Sequence, residues 1–333
     1  MTGGGAGGEG PDRRALGGGA LSLLVLSGLY GAGCFWLARH IRSETEATIA
    51  ALDAQGIRAD CADMRVDGYP LRLNVTCRAM AYEDDAGSVA ASAGRLDAVA
   101  SLPFPWLPKA ELRGPLRTAS PGMAPLWIDW DRLQAAARLS FSLPKRVSLD
   151  AEGLSGQTDP QDETDPVQLF SVGKAAAEVQ PTGTDLAYSG RFSDLEIDAE
   201  ATGGRVLPPL DGTVQATLKD GLALLAAQTR SLRGHTLEIA GAELSSGQAR
   251  VSISGPVAFG ADGLIDATLT VRLHDPKAVA EVLAGVFPEK AGQIRQGVGM
   301  LAMLGSEPAL PLSIVKGKAT LGFLPLGEIK PVQ

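Results

Sequence analysis

From Ala15 to Ala38 the chain runs 24 residues without a charged side chain, between Arg13-Arg14 on one side and Arg39-His40-Ile41-Arg42 on the other. At about 1.5 Å per residue a helix of that length spans roughly 36 Å, more than the roughly 30 Å hydrocarbon core of a bilayer. A soluble helix as long would need a polar face, and this stretch offers none. Tyr30 and Trp36 stand toward its far end, where interfacial aromatics sit. The run predicts a transmembrane anchor over 15–38, behind a glycine-rich, disordered cytoplasmic tail over 1–14. A juxtamembrane helix is expected over 39–56: Ile41, Thr45, Thr48, Ile49 and Leu52 share one face, Ser43 and Glu46 form a capping-box pattern, and Gly56 ends it.

Arginines flank both ends of the anchor, so the positive-inside count is near a tie. A retained signal-anchor would export everything beyond Arg39. Two rivals stay open: cleavage at the small residues Gly31-Ala32-Gly33, and lipidation of Cys34, although Gly31 stands where a lipoprotein signal carries leucine. Gly28 and Ala32 are spaced to pack a second helix, in a span where glycine is common anyway.

Beyond Gly56 the periodicity changes to two. Leu71, Leu73, Val75, Cys77, Ala79 and Ala81 alternate with Arg72, Asn74, Thr76, Arg78 and Met80, which marks a strand with one buried face. The same alternation predicts strands over 89–102, 110–117, 126–130, 138–143, 147–154, 168–178, 186–192 and 265–273, while 214–228 matches less well a strands-then-helix section that could make a weak internal repeat. Glycine, proline and aspartate turns separate them. With 41 glycines and only 5% aromatics in 333 residues, the composition suits short strands and turns better than packed helices. One-sided alternation favours an antiparallel sheet over a doubly wound parallel one. After 265–273, Asp275-Pro276 reads as N-cap and first turn of a helix with Val279, Val282, Leu283 and Val286 on one stripe. A glycine-broken helix follows over 289–304. The acidic tract from Thr158 to Pro166 is a loop or soft domain boundary.

Cys61 and Cys77 flank the turn signal Asp67-Gly68-Tyr69-Pro70. Two thiolates without a nearby histidine do not make a zinc site, and the spacing is not the C-x-x-C of a redox pair. In an oxidising compartment they would form a structural disulfide. A hairpin turning at Tyr69 sets Cys61 opposite Cys77, but it also sets Asp63 opposite Val75 and Arg65 opposite Leu73. That mixes charge into the apolar face unless a bulge near Ala62 resets it.

Three segments, MRVDGYPLRLNVTC, FPWLPKAELRGPL and LPLSIVKGKATLGFLPLGEI, resemble over nearly the whole chain the bacterial inner-membrane domain-of-unknown-function family 2125, which is placed near the AsmA-like envelope proteins. The resemblance rests on V-x-G-Y/F-P-x-R, here Val66, Gly68, Tyr69, Pro70 and Arg72, and more loosely on Gly322, Pro325, Leu326 and Gly327 in the tail. It implies a single-pass inner-membrane protein whose bulk is a periplasmic β-rich body, with no catalytic residues to carry over.

The residues themselves name no reaction. Ser142 to Lys145 and Ser313 to Lys316 match S-x-x-K, but in strand context and without companion motifs. His235 and His274 are isolated, and Asp84-Asp85 and Asp162-Glu163 read as loop charge. Trp106, between prolines, is either packed in its loop or turned to a groove mouth or bilayer. A net charge of −8 excludes a nucleic-acid partner. The expected fold is mainly β with a few helices (α+β): an N-terminal transmembrane helix, then an elongated, curved antiparallel sheet over 57–330. No metal, cofactor or enzymatic activity is expected. The expected partners are the membrane and a lipid-like ligand in envelope maintenance, with Ala267, Leu269, Val271 and Leu273 as the apolar lipid-facing residues. The alternatives are an envelope scaffold that recruits other proteins, or a hydrolase whose nucleophile and base meet only in three dimensions.

Overall fold

Short alternating segments separated by turns satisfy their backbone hydrogen bonds most simply hairpin by hairpin. The computed structural model describes residues 39–331 apart from 41–42, 44–45, 48, 55, 69–71, 85–87, 102–103, 122, 141–143, 160–164, 227–230, 303–304 and 323. The membrane anchor expected over 15–38 lies outside the described residues. Among the described residues no helix is long and apolar enough to cross a membrane. Those between 39 and 53 are helical, but Ser43 does not cap: the helix is already running at Arg39, and the Ser43 hydroxyl donates back to the His40 carbonyl at 2.9 Å.

Ten strands come first: β1 (Ile57–Ala62), β2 (Arg65–Asp67), β3 (Arg72–Cys77), β4 (Ala79–Asp84), β5 (Val89–Ala93), β6 (Leu96–Ser101), β7 (Phe104–Leu112), β8 (Leu116–Ser120), β9 (Met123–Asp129) and β10 (Arg132–Arg138). Their pairing shows that they are halves of five longer strands. Ile57 faces Asp84 and Arg65 faces Thr76, one register carried through bends at Asp63-Met64 and at Arg78. Met80 faces Ala93 and Arg72 faces Ser101 in the same manner. The remaining bends fall at Gly94-Arg95, Arg113-Gly114-Pro115 and Trp130-Asp131, so a single corner crosses the sheet. Trp130 is buried inside it and donates its indole N–H to the Leu112 carbonyl at 2.7 Å.

The rest is an unbroken meander: β11 (Arg146–Thr158), β12 (Gln168–Thr182), β13 (Asp185–Ile197), β14 (Leu210–Leu218), β15 (Thr236–Ser246), β16 (Ala249–Phe259), β17 (Ile265–His274), β18 (Ala309–Val315), β19 (Lys318–Leu321) and β20 (Leu324–Glu328). Strand β11 meets both halves of the bent region, pairing residues 146–152 with β10 and 155–158 with β9. From β11 onward each strand pairs with the next, all antiparallel, in one 20-stranded sheet. The acidic tract after Thr158, of which 160–164 lie outside the described residues, falls between β11 and β12. Both strands stay paired along their length, so it does not divide two sheets. Of the strand expected over 138–143, Arg138 ends β10 (Arg132–Arg138), Leu139 and Ser140 are outside any strand, and 141–143 lie outside the described residues.

Three helices interrupt the meander: α1 (Gly221–Ala226), α2 (Pro276–Val286) and α3 (Ala291–Ala302), the last two joined by a 3-10 turn at Pro288–Lys290. Asp275 caps α2 as its sequence predicts, its carboxylate accepting from the Ala278 N–H at 3.1 Å, with Pro276 in the first turn. The buried stripe is Pro276, Val279, Ala280 and Ala284, while Leu283 faces out. Alanines on that side let α2 lie close against β16 and β17, where Val279 packs with Ala249, Val271 and Leu273, and Val298 and Leu301 of α3 close over them.

Candidate functional site

Cross-strand pairing sorts side chains into two continuous faces. Val66, Val75, Ala98, Ala110, Ala135, Leu149, Ala177, Gly190, Val214, Ala242, Ile253, Val271 and Leu310 are successive partners from β2 to β18. Their chain neighbours Arg65, Thr76, Asp97, Glu111, Gln134, Asp150, Arg191, Thr213, Glu243, Ser252 and Arg272 take the other face, as a period of two requires. The apolar face is treated differently along its length. At β16 to β19 it is sealed by α2 and α3. Between β11 and β15 it forms an open trough of about 680 Å³, bordered by Leu149, Tyr188, Phe192, Val214 and Leu244 over a floor of Ala151, Ala175, Ala177, Gly190, Gly212 and Ala242. Leu149, Tyr188 and Leu244 are each more than 40% exposed, which is unusual for large side chains in the middle of a sheet.

The floor is low because aromatic rings lie down on glycines. Phe192 faces Gly212, and a Cβ on Gly212 would come within 2.4 Å of its ring. Phe170 covers Gly156 in the same way, at 2.3 Å, beyond the residues that line the trough. Rings laid flat over glycine restore contact that the missing side chain forfeits, and they leave headroom above the sheet.

Ala267, Leu269, Val271 and Leu273 do lie on this apolar face, yet they are not open to a ligand: they are only 6–9% exposed. Val271 and Leu273 are under α2, while Ala267 and Leu269 pack with Ile314 and Ala319. Parity gave the correct face, but the helices that follow β17 fold back over it.

Cys61 and Cys77 are joined, with their Cα atoms 5.2 Å apart. They are not directly opposed. Arg65 faces Thr76 rather than Leu73, and Val66 faces Val75, which keeps charge off the apolar face. In this register Cys61 is opposite Met80 and Cys77 opposite Leu96, so the bridge crosses the corner between β1 and β3. The irregularity expected near Ala62 is the bend itself, with Asp63 at φ 50°.

Residues 35–330 match a family described as uncharacterised proteins conserved in bacteria, DUF2125. The chain belongs to this family. No curated protein matches it. The described residues that carry the DUF2125 resemblance lie at the facing ends of β2 and β3. Gly68 takes φ 87°, the Arg72 N–H donates to the Gly68 carbonyl at 3.0 Å, and a side chain on Gly68 would strike Asn74, which itself donates to Asp67 at 3.1 Å. Val66 is in β2 and Arg72 opens β3, while Tyr69 and Pro70 lie outside the described residues. The DUF2125 tail pattern falls at the β19–β20 hairpin, where Pro325, Leu326 and Gly327 belong to the edge strand β20.

One polar constellation escaped the sequence. His274, at the end of β17, has its Nε2 3.1 Å from the Ser252 hydroxyl and its Nδ1 3.1 Å from a Glu307 carboxylate oxygen. Serine and histidine are 22 residues apart, and only the register of β16 with β17 brings them together. Among the described residues no group of three or more histidine, cysteine or acidic side chains is placed to hold a metal.

Proposed function

We propose that this protein is a membrane-anchored, exported lipid-binding protein whose trough holds an acyl chain. The observation that carries this reading is the uncovered apolar face between β11 and β15 in a chain with a net charge of −8. Its volume falls within the range of about 300–1,000 Å³ common for small-molecule sites. With about 0.8 kcal/mol gained per buried methylene, an acyl segment of about ten carbons has enough gross affinity to be retained after the costs of ordering it. The trough is open and lined mainly by apolar residues, with Arg191, Thr213 and Glu243 as its polar ones, which fits a linear apolar ligand better than a compact polar one. The anchor over 15–38, the disulfide and the resemblance to AsmA-like envelope proteins support placement of the body in the periplasm, in envelope maintenance. Alkylation trapping of Cys61 and Cys77 in intact cells tests that placement. A scaffold without ligand would be favoured by a face filled along its whole length, and here the filling stops at β16.

The lipid reading is tested with a tryptophan at Ala177, on the trough floor. Native mass spectrometry of the purified chain should find lipid on the wild type and none on Ala177→Trp, with melting temperatures nearly equal. The same substitution at the sealed Ala267 should overpack the core, at a cost of about 1–3 kcal/mol. A wild type that never carries lipid, or an Ala177→Trp variant as unstable as Ala267→Trp, overturns the reading.

A second reading has its own observation, since Ser252, His274 and Glu307 are placed as nucleophile, base and orienting carboxylate of a hydrolase. Against it, Ser252 lies mid-strand between Glu243 and Arg272. A strand paired on both sides spends its N–H groups on the ladder, which leaves no backbone donor for an oxyanion. The triad is expected to act as a cross-strand tie, unreactive toward a fluorophosphonate probe. Labelling that is lost in both Ser252→Ala and His274→Asn would move the assignment to a hydrolase.

A further inference from the structure

Phe104 and Trp106, at the start of β7, stand edge to face with ring centroids 5.6 Å apart, and they are 56% and 48% exposed. Leu107 and Leu139 beside them are also exposed. The Leu139 N–H donates to the Trp106 carbonyl at 2.8 Å and the Lys145 N–H to the Arg138 carbonyl at 2.7 Å, so the described residues at the start of β7 and the end of β10 are held as one tip. Between them lies an open cavity of about 650 Å³ lined by Pro105, Trp106, Leu139, Ser140 and two cations, Arg138 and Lys145. The described residues that carry the DUF2125 pattern adjoin this tip, because Arg72 faces Ser101 and Ser101 faces Phe104.

We infer that this tip docks on the surface of an anionic lipid bilayer, with Phe104, Trp106, Leu107 and Leu139 at headgroup depth and Arg138 and Lys145 against lipid phosphates. Charge complementarity argues for lipid over protein. In a chain with a net charge of −8, the charged side chains lining the cavity are both cationic, and among the described residues neither is ion-paired. An amphipathic tryptophan with exposed aliphatic neighbours and flanking basic residues is the composition that partitions to membrane interfaces. The uncharged run over 15–38 would hold the body beside such a surface. The tip also leads into the trough. Leu139 follows Ala137 by two residues, Ala137 faces Val147, Val147 faces Val179 and Val179 faces Tyr188, a strip of exposed apolar side chains that ends at the trough wall. Use of this strip as a path for an acyl chain rests on the lipid-binding reading, whereas docking does not.

The test uses the full chain reconstituted in vesicles of phosphatidylcholine and phosphatidylglycerol, with acyl-brominated phosphatidylcholine quenching tryptophan emission. The wild type should lose a larger fraction of its emission than Trp106→Phe. That difference should fall several-fold in vesicles without phosphatidylglycerol, in Arg138→Glu/Lys145→Glu and in Leu139→Asp, all variants with an unchanged melting temperature. Equal quenching of the wild type and Trp106→Phe, with Trp106 still open to aqueous acrylamide, overturns the proposal and leaves the tip to water or a protein partner. Undiminished quenching in vesicles of phosphatidylcholine alone overturns the anionic specificity. A chain that carries no lipid in its trough but still shows the Trp106-dependent quenching refutes the trough and upholds the docking.

Discussion

Replacing Arg117 by methionine is expected to lower folding stability by about 3 kcal/mol, the scale at which losing one partner of a buried ion pair is felt. Asp159 is the only charged residue among the buried ones described, at 3% exposed, and it receives the Arg117 guanidinium through Nε at 2.9 Å and through a terminal nitrogen. The guanidinium also lies over the Trp127 ring, 5.8 Å from its centroid. Arg117 belongs to β8 and Asp159 directly follows β11, so the pair spans β9 and ties the far end of the bent region to the first unbroken strand. Without the guanidinium the carboxylate keeps its desolvation cost and loses its principal compensation. Urea titration should show the midpoint drop, and the double variant Arg117→Met/Asp159→Leu should recover most of it. A single-variant loss below about 1 kcal/mol would mean that solvent reaches Asp159 in solution.

Cys61→Ser and Cys77→Ser should each cost about 3 kcal/mol, the loop-closure term for a bridge between residues 16 apart, and the double variant should cost no more than either single one. The bridge acts where the sheet is least supported, since β1 and β2 have a ladder on one side only. Additive losses would show that the thiols contribute separately. In intact cells treated with an alkylating agent before reduction, both cysteines should be protected if the body is exported. Complete alkylation would place it in a reducing compartment and remove the support that the disulfide gives to export.

The antiparallel, one-sided sheet was legible because strand parity survives in residues such as Ile265 to Leu273, and the cap at Asp275-Pro276 because its chemistry is local. The corner was harder to read. Residues 89–102 keep alternating through the bend at Gly94-Arg95, so nothing in the pattern marks two strands. Strand β10 went unread because Ala135, Ala136 and Ala137 offer no contrast between faces. Strands β15 and β16 were missed: a bulge between Ile239 and Ala242 shifts the parity of one against the other. The site was misplaced for a related reason. Alternation says which face a side chain joins but not what later covers it, so the strongest apolar strand, β17, was taken as open. The open stretch is written in alanine and glycine, whose hydropathy signal is weak, and its ring-on-glycine pair, Phe192 with Gly212, is visible only in register. His274 and Ser252 likewise meet only through the β16–β17 ladder.

A meander whose ladders join only consecutive strands has a mechanical consequence. If tension is applied between the start of β1 and the C-terminus, the load runs perpendicular to the ladders at the two edges of the sheet, and hydrogen bonds break in succession instead of sharing the force. Each strand released leaves its neighbour as the new edge, so the sheet peels in sequence, much as nearest-neighbour arrays lose repeats from their ends. At the N-terminal edge the Cys61–Cys77 bridge holds the first bent hairpin shut. Peeling therefore starts at β20, which has one neighbour and no staple, and works back toward the trough while the disulfide-stapled end stays folded.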